Sequence, residues 1–263
     1  MTRLSVNLNK VALLRNARAG LFPGPDARPR LERAGLACLN AGAAGLTLHP
    51  RPDRRHALPE DAQALDALLS GVPGELNLEG NPFSPARDHY PGFLALLLEL
   101  GPDQATLVPD ASAQLTSDHG WDLARDGERL APVIADLKAR GCRVSLFVDP
   151  VPETVARAAD VGADRIELYT GPYADAAARG EGASALGPYR EAAERAAEVG
   201  LGVNAGHDLD LDNLGPFLRA VPGVLEVSIG QALVADALHL GLTETVHAYL
   251  AAIASAHDAE SEA

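Results

Sequence analysis

Four titratable side chains stand at the ends of short apolar runs. His49 closes Gly45–His49, Glu79 follows Glu75–Leu78, Glu167 lies within Arg165–Tyr169, and His207 comes just after Gly202–Asn204. Two imidazoles and two carboxylates brought to one place are equipment for several proton transfers near neutral pH. Each has an ordinary reading when taken alone. His49 suits a hydrogen-bonded structural histidine and Glu79 a solvated loop acid. Glu167 suits an inward acid paired with an arginine, and His207 a cap on the following helix. The recurrence of such groups at the same kind of position is what points to a site.

Cations accompany them. The chain has two lysines, Lys10 and Lys138, and its other 20 basic residues are arginines. Arg15, Arg18, Arg51, Arg54 and Arg55 follow the first two apolar runs. Guanidinium forks match phosphate oxygens in bidentate geometry, although Arg54-Arg55 also reads as a solvated surface pair. Glycines in Asn204-Ala205-Gly206-His207 and Ser228-Ile229-Gly230-Gln231 open two turns where backbone N–H groups can receive a second anion. Two anion sites on one face predict small phosphorylated substrates.

The elements that must carry these groups alternate along all 263 residues. Apolar, Gly-, Pro- or Asp-bounded runs predict strands at Leu4–Leu8, Gly45–His49, Glu75–Leu78, Gln104–Val108, Arg143–Val148, Arg165–Tyr169, Gly202–Asn204 and Val224–Ile229. Helical patterns lie between them: Arg30–Ala41, Pro59–Leu69, Tyr90–Leu100, Asp126–Arg140, Glu153–Val161, Ser184–Val199, Asp212–Ala220, Gln231–Leu240 and Thr243–His257. Most end at a glycine, the residue that takes the left-handed C′ conformation without strain. An extra helix is expected over Val11–Ala17, a lid loop over Tyr173–Gly187, and a frayed tail at 259–263. Eight β-then-α units with right-handed crossovers predict one (β/α)8 TIM barrel domain, with strands buried on both faces and an apolar interior. Polar groups are expected at the carboxyl ends of the strands and no matching collection at the other ends.

Composition excludes other classes. The net charge of −14 argues against a partner held by nucleic-acid phosphates, and 4% aromatic residues leave few stacking platforms. No apolar run reaches membrane-spanning length, and the amino terminus has no signal-like apolar segment, so a cytoplasmic protein is expected. Cys38 and Cys142 read as buried reduced thiols without zinc-site spacing. No P-loop, GxSxG or HExxH occurs.

The motifs as a set resemble the pyridoxine 5′-phosphate synthase family. They include Leu4-Ser5-Val6-Asn7 with Leu14-Arg15-Asn16-Ala17-Arg18, and His49-Pro50-Arg51-Pro52-Asp53-Arg54-Arg55-His56. Leu76-Asn77-Leu78-Glu79-Gly80-Asn81-Pro82, Thr106-Leu107-Val108-Pro109-Asp110, Val144-Ser145-Leu146-Phe147-Val148-Asp149, Ile166-Glu167-Leu168-Tyr169-Thr170-Gly171-Pro172 and Val203-Asn204-Ala205-Gly206-His207 complete it, in order from Leu4 to about Tyr249. The resemblance implies a barrel with extra helices, assembled as an octamer. Its reaction would condense 1-deoxy-D-xylulose 5-phosphate with 3-amino-2-oxopropyl phosphate, closing the pyridine ring and releasing phosphate and water. His49 and Glu79 would accept protons, His207 would donate one, and Glu167 would stabilise transition-state charge. Asn7, Gly230 and Gln231 would hold the aminoketone phosphate, and Arg18, Arg51, His56 and Thr116 the deoxyxylulose phosphate. No cofactor or metal is implied, because the substrate amine forms the imine itself.

The chain departs from the commonest family pattern in four places. Asn9-Lys10 stands for Asp-His, Asp208 for glycine and Gln231 for histidine, and residues are added around Phe83–Gly92. Asn9, Lys10 and Asp208 remain candidate substrate contacts, with the Asp208 carboxylate repelling an anion unless it turns away. Two other readings stay open: a Schiff-base aldolase or lyase acting on a sugar phosphate through Lys10, and a non-catalytic barrel that binds phosphometabolites.

Overall fold

A computed structural model describes residues 1–19, 27–111 and 114–261, with the side chains at 19 and 259–261 left aside. Eight parallel strands close a barrel in sequence order: β1 Arg3–Asn7, β2 Gly45–Leu48, β3 Glu75–Gly80, β4 Gln104–Leu107, β5 Arg143–Val148, β6 Arg165–Leu168, β7 Gly202–Ala205 and β8 Val224–Ile229. Pairing of β1 with β8 closes it, Leu4 opposite Val227. The helices are α1 Asn9–Ala19, α2 Leu31–Asn40, α3 Pro59–Leu69, α4 Phe93–Leu100, α5 Leu123–Ala139 and α6 Pro152–Asp160. They continue as α7 Gly171–Ala178, α8 Gly182–Ala185, α9 Gly187–Glu198, α10 Leu214–Ala220, α11 Gln231–Leu240 and α12 Leu242–Ser261.

Strict alternation within the strands builds the main core outside the barrel. Leu4, Val6, Leu46, Leu48, Leu76 and Leu78 are buried in the apolar cluster shared with helix residues such as Leu31, Leu65 and Phe93. Each such side chain contributes roughly 1.5–3 kcal/mol by leaving water. The residues between them are polar, which corrects the expectation of an apolar interior. Thr47 Oγ1 accepts from Ser228 at 3.1 Å and the Asn77 amide at 3.3 Å, which leaves its own hydroxyl to bond Ser5 Oγ at 2.7 Å, while Thr106 donates to Asn77 at 3.1 Å. Buried hydroxyls and amides are tolerated when they satisfy one another.

The amino-terminal mouth is also polar, contrary to expectation. Arg3 meets Glu75 at 2.7 and 2.5 Å and Glu226 at 3.3 Å, and Arg143 pairs with Glu75. Gln104 donates to Glu226 at 3.1 Å, and Arg165 donates to Asn204 at 3.0 Å. Burial works against the charged form of Glu75, but the Arg3 and Arg143 guanidinium groups win and hold it down at about 2.

Local chemistry sets the helix ends. Pro59 opens α3, whose Asp61 carboxylate accepts the Leu58 N–H at 2.8 Å. Gly101 ends α4 in the left-handed conformation. The expected lid at Tyr173–Gly187 is instead helical in α7 and α8. Alanine favours helix, Pro172 fits the first turn, and the Tyr173 hydroxyl donates to Asn213 O at 2.8 Å while its ring packs on Tyr189 and Phe217. Pro188 divides the helix expected over Ser184–Val199, because it lacks the N–H needed to continue α8 into α9. Cys38 and Cys142 are buried and unbridged, with burial pushing their thiols up to about 12 and about 11. Among the described residues no helix is long and apolar enough to cross a membrane. The last helix continues to Ser261, and residues 262 and 263 of the expected tail lie outside the described residues.

Candidate active site

The carboxyl-terminal mouth holds a cavity of about 470 Å³. His49, Glu79, Glu167 and His207 all line it, as do Asn7, Asn9, Lys10, Arg51, His56, Thr116, Asp208, Gly230 and Gln231. These groups come from β1, β3, β6 and the turns after β1, β2, β4, β7 and β8, so closure of the barrel is what assembles them.

Arg18 is the expected residue that the structure does not bring here. It lies near the far end of α1, roughly 13 Å along the helix from Asn9 at 1.5 Å per residue. There it lines a second cavity with Arg28, Arg30 and Arg33. Two other arginines singled out in the sequence are also engaged elsewhere. Arg15 pairs with Asp61, and Arg54 donates to His89 O at 2.9 Å and lies 3.6 Å from Glu60.

A relay of polar contacts connects the candidate proton-transfer groups. The Asn7 amide donates to Glu79 Oε2 at 3.3 Å, Asn7 Oδ1 accepts the Asn9 N–H at 3.0 Å, and Asn9 Oδ1 accepts the His49 N–H at 2.9 Å. His49 Nδ1 lies 3.9 Å from Glu79 Oε2. Across the cavity, His207 Nδ1 meets Asp208 Oδ2 at 2.8 Å and its Nε2 meets Thr116 Oγ1 at 3.0 Å. The Asp208 carboxylate is therefore turned onto His207.

These environments split the group pairwise. Burial, then Arg51 and His56, hold the His49 ring well below the ordinary histidine range, which keeps it neutral. Burial works against a charged His207, yet Asp208, Glu79 and Asp110 together raise it above the ordinary value. Burial also lifts Glu79 to about 7 despite the neighbouring His207 cation. Glu167, buried and facing Glu79 and Glu226, is raised well above the carboxylate range, and its Oε2 has no hydrogen-bond partner among the described residues. Such surroundings favour its protonated form. Titratable groups pushed in opposite directions within one cavity are how a site divides acid from base work.

Candidate anion-holding parts line the same cavity. Gly230 and Gln231 open α11 and both line it, so a helix amino end, where backbone N–H groups lack intrahelical partners, borders the cavity. A Cβ at Gly230 would approach Asn7 Cβ to 3.0 Å, so glycine permits this close passage. Gly206 is stricter: its φ is +150° and a Cβ there would collide with Ser228 O. Lys10, Arg51 and Arg55 supply cations to the same cavity. His56 Nδ1 accepts the Ala57 N–H at 2.9 Å, and burial with Arg51 nearby pushes its ring down to about 3.

Sequence reasoning missed Asp110, Ser117 and Ser228, and it left Arg55 open between a phosphate fork and a solvated surface cation; the structure sets it on the cavity. Asp110 pairs with Arg51 and accepts the Ser117 hydroxyl at 2.8 Å, orienting the guanidinium toward the cavity. It stands three residues beyond the end of β4, where the strand-end rule applied elsewhere would have found it. Arg55 donates to Gln114 O at 3.0 Å and Leu115 O at 2.9 Å, tying the turn after β4 across the mouth.

Comparison with known proteins gives a consistent result. The family model of pyridoxal phosphate biosynthesis protein PdxJ matches residues 4–255. Pyridoxine 5′-phosphate synthase of Xanthomonas axonopodis pv. citri is 55% identical over 256 residues, 97% of this chain and 98% of that protein. The Xylella fastidiosa protein of the same name is 53% identical over 260 residues, 99% of this chain and 98% of its own. Among solved structures, thiamine phosphate pyrophosphorylase from Pyrococcus furiosus aligns with TM-score 0.59 at 13% identity, covering 97% and 96% of the two chains. A mutant tryptophan synthase α-subunit from the same hyperthermophile aligns with TM-score 0.60 at 16% identity, covering 95% and 98%. These last two likenesses concern the barrel fold alone.

Proposed function

The chain belongs to the family described as pyridoxal phosphate biosynthesis protein PdxJ, and from that premise we infer that it is an enzyme of vitamin B6 biosynthesis that makes pyridoxine 5′-phosphate, with its residues dividing the work as follows. The two substrates are 1-deoxy-D-xylulose 5-phosphate and 3-amino-2-oxopropyl phosphate. Arg51, Arg55 and Lys10 hold one phosphate, with His56 and Thr116 beside it. The amino end of α11, with Asn7, holds the other. Bidentate cations on one side and backbone N–H groups on the other fix two dianions with their reactive carbons between them.

Imine formation between substrate amine and ketone expels water. Ring closure then needs protons taken from carbon next to C=N or C=O, and protons given to departing oxygen. Glu79 and neutral His49 take protons, and His207 as imidazolium gives them. Glu167, neutral and buried, donates a hydrogen bond to oxygen as negative charge develops on it. The single observation that carries this reading is that His49, Glu79, Glu167 and His207 line one cavity. Assembly into a homo-octamer and residence in the cytoplasm accompany it as expectations.

The test is incubation of the purified protein with both phosphorylated substrates and detection of pyridoxine 5′-phosphate by mass. Product at the expected mass, lost in Glu79→Gln, supports the assignment; no product from a folded, substrate-binding protein would falsify it. Lys10 lines the same cavity, so borohydride trapping accompanies that test. A covalent adduct on Lys10 would replace this reading with the aldolase.

A further inference from the structure

The Asp208 carboxylate stands at the mouth of a cavity read as binding two phosphates, where a further negative charge opposes the ligand unless it has another task. Its geometry shows one. Oδ2 lies 2.8 Å from His207 Nδ1, and the Asp208 backbone N–H donates to the fully buried Thr170 hydroxyl at 3.1 Å, so the carboxylate is anchored from below. The His207 ring is wedged between Phe147 at 6.1 Å and Tyr169 at 6.3 Å between centroids. Its other nitrogen, Nε2, faces Thr116 and the cavity. Of the two ring nitrogens, one is committed to Asp208 and one to the site.

We propose that Asp208 is a positioning residue for the reaction: its carboxylate fixes the His207 ring and keeps the proton on Nδ1, so that Nε2 is the atom that hands a proton to substrate and takes it back. This rests on the functional reading above and adds to it the partner that makes His207 an acid. With Nδ1–H held by Asp208, donation from Nε2 leaves one defined neutral tautomer, and the next proton returns to the same atom. The other charged or titratable groups facing the ring are Glu79 on β3, His49 after β2, Asp110 after β4 and Tyr169 after β6. Glu79 and Asp110 favour the cation and His49 does not oppose it while neutral. Asp208 is the only one of them within hydrogen-bond distance of Nδ1 among the described residues.

Two measurements on the whole protein test this. Ring nitrogen resonances of ¹⁵N-histidine-labelled protein, with His207 assigned by its loss in His207→Asn, give the His207 titration midpoint without any turnover. The midpoint is expected to fall by about one pH unit in Asp208→Asn and to be largely kept in Asp208→Glu. The alkaline limb of kcat should move down with it, while KM for either substrate changes less than about threefold, a small binding difference. An unmoved midpoint in Asp208→Asn, or a kcat loss uniform across pH, would overturn the proposal. If the wild-type protein makes no product yet the midpoint moves, the reaction assignment fails and the Asp208–His207 coupling stands.

Discussion

Glu75 and Glu79 sit on the same strand, four residues apart, and both point into the barrel, yet the two mouths treat them in opposite ways. Glu75 meets Arg3 and Arg143 and is held near 2. Glu79, roughly 13 Å further along β3 at about 3.3 Å per residue, makes no ion pair with an arginine among the described residues; burial outweighs His207, Arg51 and the Ser228 hydroxyl and lifts it to about 7. One end of the barrel satisfies its charges and the other leaves them wanting. Stability is therefore concentrated at the amino-terminal mouth and reactivity at the carboxyl-terminal one, a separation that lets substitutions at either end be read independently.

The sharpest way to break the comparison is to neutralise one acid at each mouth. Glu79→Gln keeps shape and removes a base, and turnover in the product assay should fall by roughly 10²–10⁴-fold with the fold intact by circular dichroism. Glu226→Ala removes the carboxylate shared by Arg3, Arg165 and Gln104. Chemical denaturation should show a loss of about 1–3 kcal/mol, because the buried Gln104 amide loses its acceptor and the two arginines each lose one partner, Arg3 keeping Glu75 and Arg165 keeping Asn204. The folded fraction of that variant should turn over normally; a specific activity that collapses with stability would show that the two mouths are not separable.

Acid–base linkage sharpens the same contrast. The depressed Glu75 group contributes stability that is present above its ordinary value near 4.5 and is lost as pH falls toward 2. The elevated Glu79 group acts in the other direction. Its contribution is complete below about 4.5 and is lost as pH rises through 7, because the folded site resists ionisation. Glu79→Gln cannot ionise, so its melting temperature should exceed that of the wild type by roughly 6 °C at pH 8 and match it at pH 4. Scanning calorimetry at the two pH values checks both limbs. The smallest effect is expected at Lys10. As one of several cations around a phosphate, its replacement by Met should raise KM about tenfold, in proportion to one lost charge contact, and leave kcat near normal. Abolished kcat would instead mark Lys10 as a covalent participant.

Much of this arrangement was legible in the sequence, and the reasons are local. Strands such as Arg143–Val148 and Val224–Ile229 announce themselves because glycine or proline punctuates both sides of an apolar run. The residues that line the cavity are legible in advance because polar groups in this fold gather at the carboxyl ends of the strands. What escaped depends on closure. Arg3 and Glu75 are 72 positions apart in sequence, so nothing near either one reveals the pairing. The polar interior is legible in the alternation of Leu4-Ser5-Val6-Asn7 and Leu76-Asn77-Leu78-Glu79, a signal lost when such strands are read as near-continuous apolar runs; the bonds that satisfy Ser5, Thr47 and Asn77 appear only on closure. The family resemblance groups Arg18 with Arg51, but within this chain α1 carries it to a different cavity. The α7 segment was misread because glycines at its edges outweighed the alanines inside it, and the Tyr173 anchor is a tertiary contact.

The chain has one tryptophan, and its placement has a practical consequence. Trp121 is buried, its indole N–H donates to Leu107 O at 2.9 Å, and its backbone N–H to Phe147 O at 3.0 Å. It terminates the segment that carries Thr116 and Ser117 over the cavity. The protein thus contains its own optical gauge: a lone indole emitter stitched to two neighbouring staves, reporting any tightening of that segment around a ligand through its colour and brightness, with no dye attached.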